Sequence, residues 1–214
     1  MPNKAKVRLP PLKQPPNEPY CGPTCVKMIL DFYGIKYSLK RLVKTLQSKD
    51  GVVITKVGIF FLKHNFKVTL STWWDYFPNR FLDLADDEME REALSWCRKR
   101  NGIKNGADRL FRKTLHQFIG KGGKIITRPP KISEVRAVLM KKNPPILDVE
   151  ASTLWGARQK IQRTEHMVVP VSISKKTIIL NDPSHGQIEV PIDRFLFSFY
   201  RSDAGALFLE PPAN

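Results

Sequence analysis

Cys21 and Cys25 stand four residues apart in QPPNEPYCGPTCVKMILDFYG, Gln14 to Gly34. A thiol that ionises near neutral pH is a strong nucleophile and also a soft metal ligand. The pair can therefore be half of a disulfide system, part of a metal site, or a nucleophile beside a cysteine that only packs. Cys97 is the third cysteine of the chain. An odd count makes no complete disulfide framework, and a chain of 214 residues needs no covalent staples, so reduced thiols are expected. Pro23 in a first turn, Val26, Ile29, Leu30 and Tyr33 at helical spacing, and Gly34 as a terminator predict a helix. Cys21 then lies at its N-terminus, where unpaired N–H groups and the helix dipole favour thiolate over thiol. Cys25, one turn further in, reads as a small core residue.

A nucleophilic thiolate needs a base, and the base needs an acceptor to orient it. Of the four histidines, His64 follows a helix and His116 lies in a basic stretch, so both read as solvated or capping residues. His166 opens HMVVPVSI, a strand whose end can present an imidazole at the sheet rim while the following residues alternate into the core. Asp182, in ILNDPSHG, ends the partner strand of an antiparallel pair, from which a carboxylate could reach that imidazole. Asn, Asp, Pro and Gly are also turn formers, so Asp182 read alone is equally a turn residue. A zinc site from Cys21, Cys25, His166 and His185 is chemically conceivable. C-x3-C at a helix start lacks the knuckle of structural zinc sites, however, and the two histidines lack a usual ligand spacing. Neither a metal nor a cofactor is expected.

The elements that must hold these residues follow from the hydrophobic pattern. Residues 1–13 alternate proline with lysine and read as an extended basic arm. After the first helix, SLKRLVKTLQ offers Ser38 as an N-cap and Leu39, Leu42, Val43 and Leu46 as one apolar face, and TKVGIFFLKHNF is a third helix before a short strand, KVTLST. From about residue 73 to 130 the texture changes. The acidic DLADDEMERE runs into ALSWCRKR, an order that suits a helix dipole, and a glycine-punctuated basic stretch follows. This reads as a mainly helical insertion. Its aromatic residues, Trp73, Trp74, Tyr76, Phe77 and Trp96, form either a small satellite core or a lid that selects a substrate. Beyond it come a helix in KISEVRAVLMKKN, a strand in PPILDVEA, then strand, turn, strand, turn, short strand and helix, and a last strand in GALFLE. Helices first and antiparallel strands later is the order of an α+β fold. A single domain over residues 1–214 is expected.

The formal net charge is +16. Such a field attracts polyanions, so weak binding of nucleic acid or an anionic surface is one expectation and a lysine-rich solvated surface the other. No apolar run is long enough for a transmembrane segment, and the basic, proline-rich N-terminus lacks the apolar stretch of a secretory signal. A cytoplasmic location is expected.

Taken in order, Gln14 before CGPTC, a helix ending in FYG, His166 opening a Val-rich strand, and NDP with a glycine after it resemble the bacteriocin-processing cysteine peptidases and their stand-alone relatives. These have the papain-like fold and include domains that cut leader peptides after a double glycine. The similarity spans Gln14 to about Gly51 and Lys131 to Leu209. The resemblance implies Cys21 as nucleophile, His166 as general base and acid, Asp182 as the residue orienting the imidazole, and Gln14 as oxyanion donor together with the Cys21 backbone N–H. One departure is that Gln14 stands seven residues before Cys21, where six or fewer are expected, and a second is the middle insertion, about 73–130, which is atypical of that family. The function so implied is a papain-like cysteine hydrolase, a peptidase acting on a peptide or protein substrate through an acyl-enzyme. An acyltransferase with the same triad, or a non-catalytic module binding a peptide or polyanion, are the alternatives. No transporter segment follows the peptidase-like part.

Overall fold

The computed structural model describes residues 5–46, 51–73, 77–79, 81, 84, 86–99, 102–103, 105–156, 165–202 and 205–212. Three helices lead: α1 (Cys21–Phe32), α2 (Leu39–Leu46) and α3 (Ile54–Leu62). Each has the expected local cause. Gly34 closes α1 at φ 72°, and Ser38 Oγ accepts the Arg41 N–H at the start of α2. Val26, Ile29, Leu30, Leu42 and Leu46 are buried as the spacing predicts.

Among the described residues the sheet has eight strands, in the order β3-β2-β8-β4-β5-β6-β7, with β1 paired to β5. These are β1 (Ala5–Lys6), β2 (Lys67–Ser71), β3 (Lys124–Ile126), β4 (Ile146–Glu150), β5 (Glu165–Ile173), β6 (Thr177–Asp182), β7 (Gly186–Pro191) and β8 (Ala206–Glu210). Every pairing is antiparallel except β2 with β3. The fold is α+β, as expected, but the sheet is not wholly C-terminal. It recruits β1 and β2 from the N-terminal half and β3 from the middle.

β3 explains the middle stretch. Two strands can pair in parallel only if a crossover of a dozen or more residues joins them. Here α4 (Asp86–Arg98) and α5 (Gly106–Gly120) lie in that crossover. The Phe118 ring, fully buried, fills the space left by two glycines: a Cβ on Gly58 of α3 would come within 2.7 Å of it, and one on Gly123 within 2.4 Å. The helical reading of this segment therefore holds, while its tie to α3 and the sheet was not foreseen. The aromatic residues pack as a core. Phe77 lies 5.1 Å from Trp96, 5.6 Å from Phe81 and 5.9 Å from Phe111, ring centroid to centroid. Trp73 packs against Phe77, whereas Trp74 and Tyr76 lie outside the described residues.

The N-terminal arm is extended, and it is also sheet. Ala5 and Lys6 pair with Ile173 and Ser172, Val7 N donates to Val171 O, and Val7 and Leu9 are buried. β5 is long enough to carry β4 along residues 165–168 and β1 along 172–173 on its two halves. Downstream, α6 (Ile132–Met140) precedes β4, α7 (Ala151–Trp155) follows it, and α8 (Ile192–Arg201) packs on β4 and α7. Among the described residues no helix is long and apolar enough to cross a membrane.

Candidate active site

Cys21 is the first residue of α1, and no side chain caps that end and no acidic residue stands in its first turn. The helix amides are therefore left for the thiol. The next residue has to be glycine, because a Cβ on Gly22 would lie 2.2 Å from Val52 Cγ1 and 3.3 Å from Met167 Sδ. That close approach seats the helix start against β5. Cys25, fully buried one turn later, donates its S–H to the Met167 carbonyl at 3.2 Å. It is the packing cysteine that the helix pattern predicts. Burial, then the charges of Cys21 and nearby carboxylates, push its thiol well above the ordinary value.

His166, the second residue of β5, is 5% exposed and pairs across the sheet with Val149. Its Nε2 donates to Asp182 Oδ1 at 2.9 Å. The other ring nitrogen, Nδ1, takes no part in that bond. The structure thus brings His166 and Asp182 into a direct hydrogen bond and couples the His166 ring electrostatically to the Cys21 thiol. The electrostatics follow from those contacts. Burial opposes ionisation of Cys21, but His166, with backbone contacts from Met167 and Gly22, outweighs it and lowers the thiol pKa. Burial also works against the imidazolium, yet Asp182 and Cys21 raise His166 to about 9. Asp182, which burial alone would raise, is held down to about 2 by His166, Trp155 and the Ser184 N–H. All three shifts favour a thiolate and imidazolium pair beside an ionised carboxylate.

Asp182 is a turn residue as well. Its Oδ1 accepts the N–H groups of Ser184 at 2.7 Å and His185 at 3.3 Å, so one carboxylate nucleates the turn and receives the imidazole. The two readings of NDPSHG are both realised.

Gln14 is anchored beside this turn, its N–H donating to Pro183 O at 2.7 Å. Its side-chain Nε2 donates to Glu18 O at 2.7 Å, which leaves a second N–H on that amide. Between them Pro15 to Glu18 form a tight turn, with Glu18 N donating to Pro15 O at 3.4 Å and Asn17 at φ 61°. Pro16 and Asn17 suit the middle of such a turn.

His64 bonds Phe60 O and the Tyr37 hydroxyl, and His116 accepts from Arg98. Neither bonds to Cys21, His166 or Asp182. Among the described residues no group of three or more His, Cys, Asp or Glu side chains is placed to hold a metal ion. One neighbour went unread in the sequence. Trp155, at the end of α7, donates its indole N–H to Asp182 Oδ2 at 2.8 Å. The available signal was a lone tryptophan just after a predicted strand, since a packed indole needs an acceptor for its N–H.

No curated protein matches the chain significantly. The double-glycine motif protease of an AMS/PCAT transporter, solved in complex with its leader peptide, superposes with a TM-score of 0.52 at 16% identity, covering 96% of this chain and 94% of that one. The peptidase domain of Streptococcus ComA, a bi-functional ABC transporter of a quorum-sensing pathway, gives 0.51 at 15%, covering 95% and 99%. A Bacillus anthracis structure described as a C39-like peptidase gives 0.52 at 14%, covering 99% and 100%. At such identities these likenesses show the shared fold. The model of the Peptidase C39-like family matches residues 6–203, and the chain belongs to that family.

Proposed function

We propose that the protein is a cysteine peptidase that cleaves a peptide or amide bond through Cys21, His166 and Asp182. The observation that carries the reading is the buried His166–Asp182 hydrogen bond at 2.9 Å, with Cys21 at the start of α1 and its thiol pKa lowered by His166. The Cys21 thiolate attacks the scissile carbonyl carbon, and the carbonyl oxygen takes up negative charge. The backbone N–H of Cys21 and the free N–H of Gln14 are the proposed donors to that oxygen, each contributing about 3 kcal/mol in sites of this kind. His166, as imidazolium, protonates the leaving amine as the tetrahedral species collapses to a thioester. Neutral His166 then takes a proton from water, which attacks the thioester, and the acid product leaves as the thiolate re-forms. Asp182 keeps the imidazole in one orientation and stabilises its charged form throughout. A peptide substrate is supported by the relative that was solved with a leader peptide.

The test is selective labelling. An epoxide or fluoromethyl ketone probe is expected to modify Cys21 well ahead of Cys25, which is buried with a raised pKa, and Cys97, pushed up to about 12 mainly by burial. His166→Ala is expected to cut that labelling at neutral pH by about 100-fold with an unchanged circular dichroism spectrum. Equal labelling of the three thiols, or full labelling of the His166 variant, would sink the assignment.

A further inference from the structure

Only one of the two Asp182 oxygens faces the histidine. Oδ1 receives His166 and the two turn N–H groups, whereas Oδ2 receives the Trp155 indole at 2.8 Å, with His185 Nδ1 at 3.6 Å. The turn donors belong to the residues just after Asp182. Trp155 comes from a separate element, and its ring meets both imidazoles edge-on: 5.3 Å from His166 and 4.5 Å from His185, centroid to centroid. Asp182 is fully buried and His166 nearly so, while Trp155 is 37% exposed. The indole is therefore the layer between these groups and solvent on that side.

The element that delivers Trp155 is built for one position. Glu150, fully buried at the end of β4, caps α7 by accepting the Ser152 N–H at 3.1 Å and the Thr153 N–H at 2.9 Å, together with both hydroxyls. Ser198 of α8 donates to the Glu150 carbonyl at 2.7 Å. Leu154 is buried, and Gly156 ends the helix at φ 68°, a conformation that glycine adopts without strain. Five residues thus turn the chain from the sheet edge to the rim of the site, with both ends tied down.

We propose that Trp155 is a positioning residue of this site: its indole N–H locks the Asp182 carboxylate in the rotamer that meets His166, and its ring screens that hydrogen bond from water. The proposal rests on the peptidase reading above. Losing the N–H has two opposed effects. The carboxylate becomes slightly more basic, which would strengthen the imidazolium, but a water molecule can take the vacated place and largely cancel that change. A water does not restore the fixed orientation or the exclusion of further solvent. The imidazolium is therefore lost at lower pH when the indole is replaced.

Iodoacetate tests this without knowledge of the substrate. The anion is drawn to the imidazolium, so its reaction with Cys21, followed by mass spectrometry across pH, falls on the alkaline side as His166 loses its proton. In Trp155→Phe that alkaline limb is expected to move about one unit to lower pH, with a several-fold lower rate near pH 9 and little change at neutral pH. In an Asp182→Ala background the same substitution is expected to add nothing, because its effect passes through the carboxylate. The native protein offers a measurement free of any folding defect: the Trp155 indole proton resonance is expected to titrate with the midpoint of the alkaline limb. An unmoved limb in Trp155→Phe, an equal shift in the Asp182→Ala background, or a flat indole resonance would each overturn the proposal alone. A native profile with no alkaline limb would overturn the peptidase reading, and the proposal with it.

Discussion

His166 concentrates the chemistry of a nearly buried site on one ring. Its neighbours decide the charge: burial argues for the neutral form, and the hydrogen bond to Asp182 with the negative character of Cys21 argues harder for the cation. The same contrast separates the two cysteines, one helical turn apart. Cys21 meets helix amides and an imidazolium, and Cys25 meets a carbonyl oxygen and apolar side chains. The shifts carry a sign for stability. A histidine raised from 6.5 to about 9 contributes stabilisation that is full below about 6.5 and lost as pH climbs through about 9. An aspartate lowered from 3.8 to about 2 contributes stabilisation that is full above about 3.8 and lost as pH falls through about 2. The melting temperature is expected to decline between about pH 6.5 and 9 and to level off above that, and to decline less in Asp182→Asn. An equal decline in that variant would assign the effect to other groups.

At the scale of elements, a buried ion pair within α5 turns the Arg112 guanidinium onto Trp96 of α4 and the carbonyls that follow α4, so the two helices are joined by more than apolar contact. Arg112 grips Asp108 with two hydrogen bonds, at 2.7 and 3.2 Å, and donates to the carbonyls of Lys99 and Gly102. Its guanidinium carbon lies 4.1 Å from the centroid of the Trp96 ring. Both side chains are almost fully buried. A buried pair of this kind adds little net stability over an apolar substitute, but breaking it from one side strands a charge. Arg112→Ala is therefore expected to destabilise the protein by about 3 to 5 kcal/mol in urea unfolding, and joint replacement of Arg112 and Asp108 by leucine by much less. A loss under 1 kcal/mol for the single variant would show that solvent or another group reaches Asp108. Since α5 also packs on α3, damage here is expected to be global rather than confined to the crossover.

For the whole molecule, the arm binds the two halves of the chain. It pairs with β5, accepts Asn181 Nδ2 at the Leu9 carbonyl at 2.8 Å, and ends with Gln14 bonded to Pro183. It therefore covers a sheet edge and supports the turn that carries Asp182. Burial of Val7 and Leu9 contributes roughly 1.5 to 3 kcal/mol each. Removal of residues 1–11 is expected to lower the urea midpoint strongly and to leave β5 with an unpaired edge prone to association. A truncated protein with an unchanged midpoint, monomeric by light scattering, would show that the arm is dispensable.

Much of this was legible in the sequence, because the signals were local. Helix spacing with Pro23 and Gly34 placed Cys21 at a helix start, Ser38 announced a cap, and alternating Val and Ile runs announced β5 and β6. The order of Gln14, Cys21, His166 and Asp182 carried the family. What the tertiary structure alone decided concerns partners distant in sequence. The pairing of β1 with β5, the parallel β3, the fit of Phe118 against Gly58 and Gly123, and the reach of Trp155 to Asp182 leave no periodic trace along the chain. Periodicity reports which face of an element is buried. Which residue lies opposite depends on how the elements pack, and that packing joins Cys21 to His166 and Asp182.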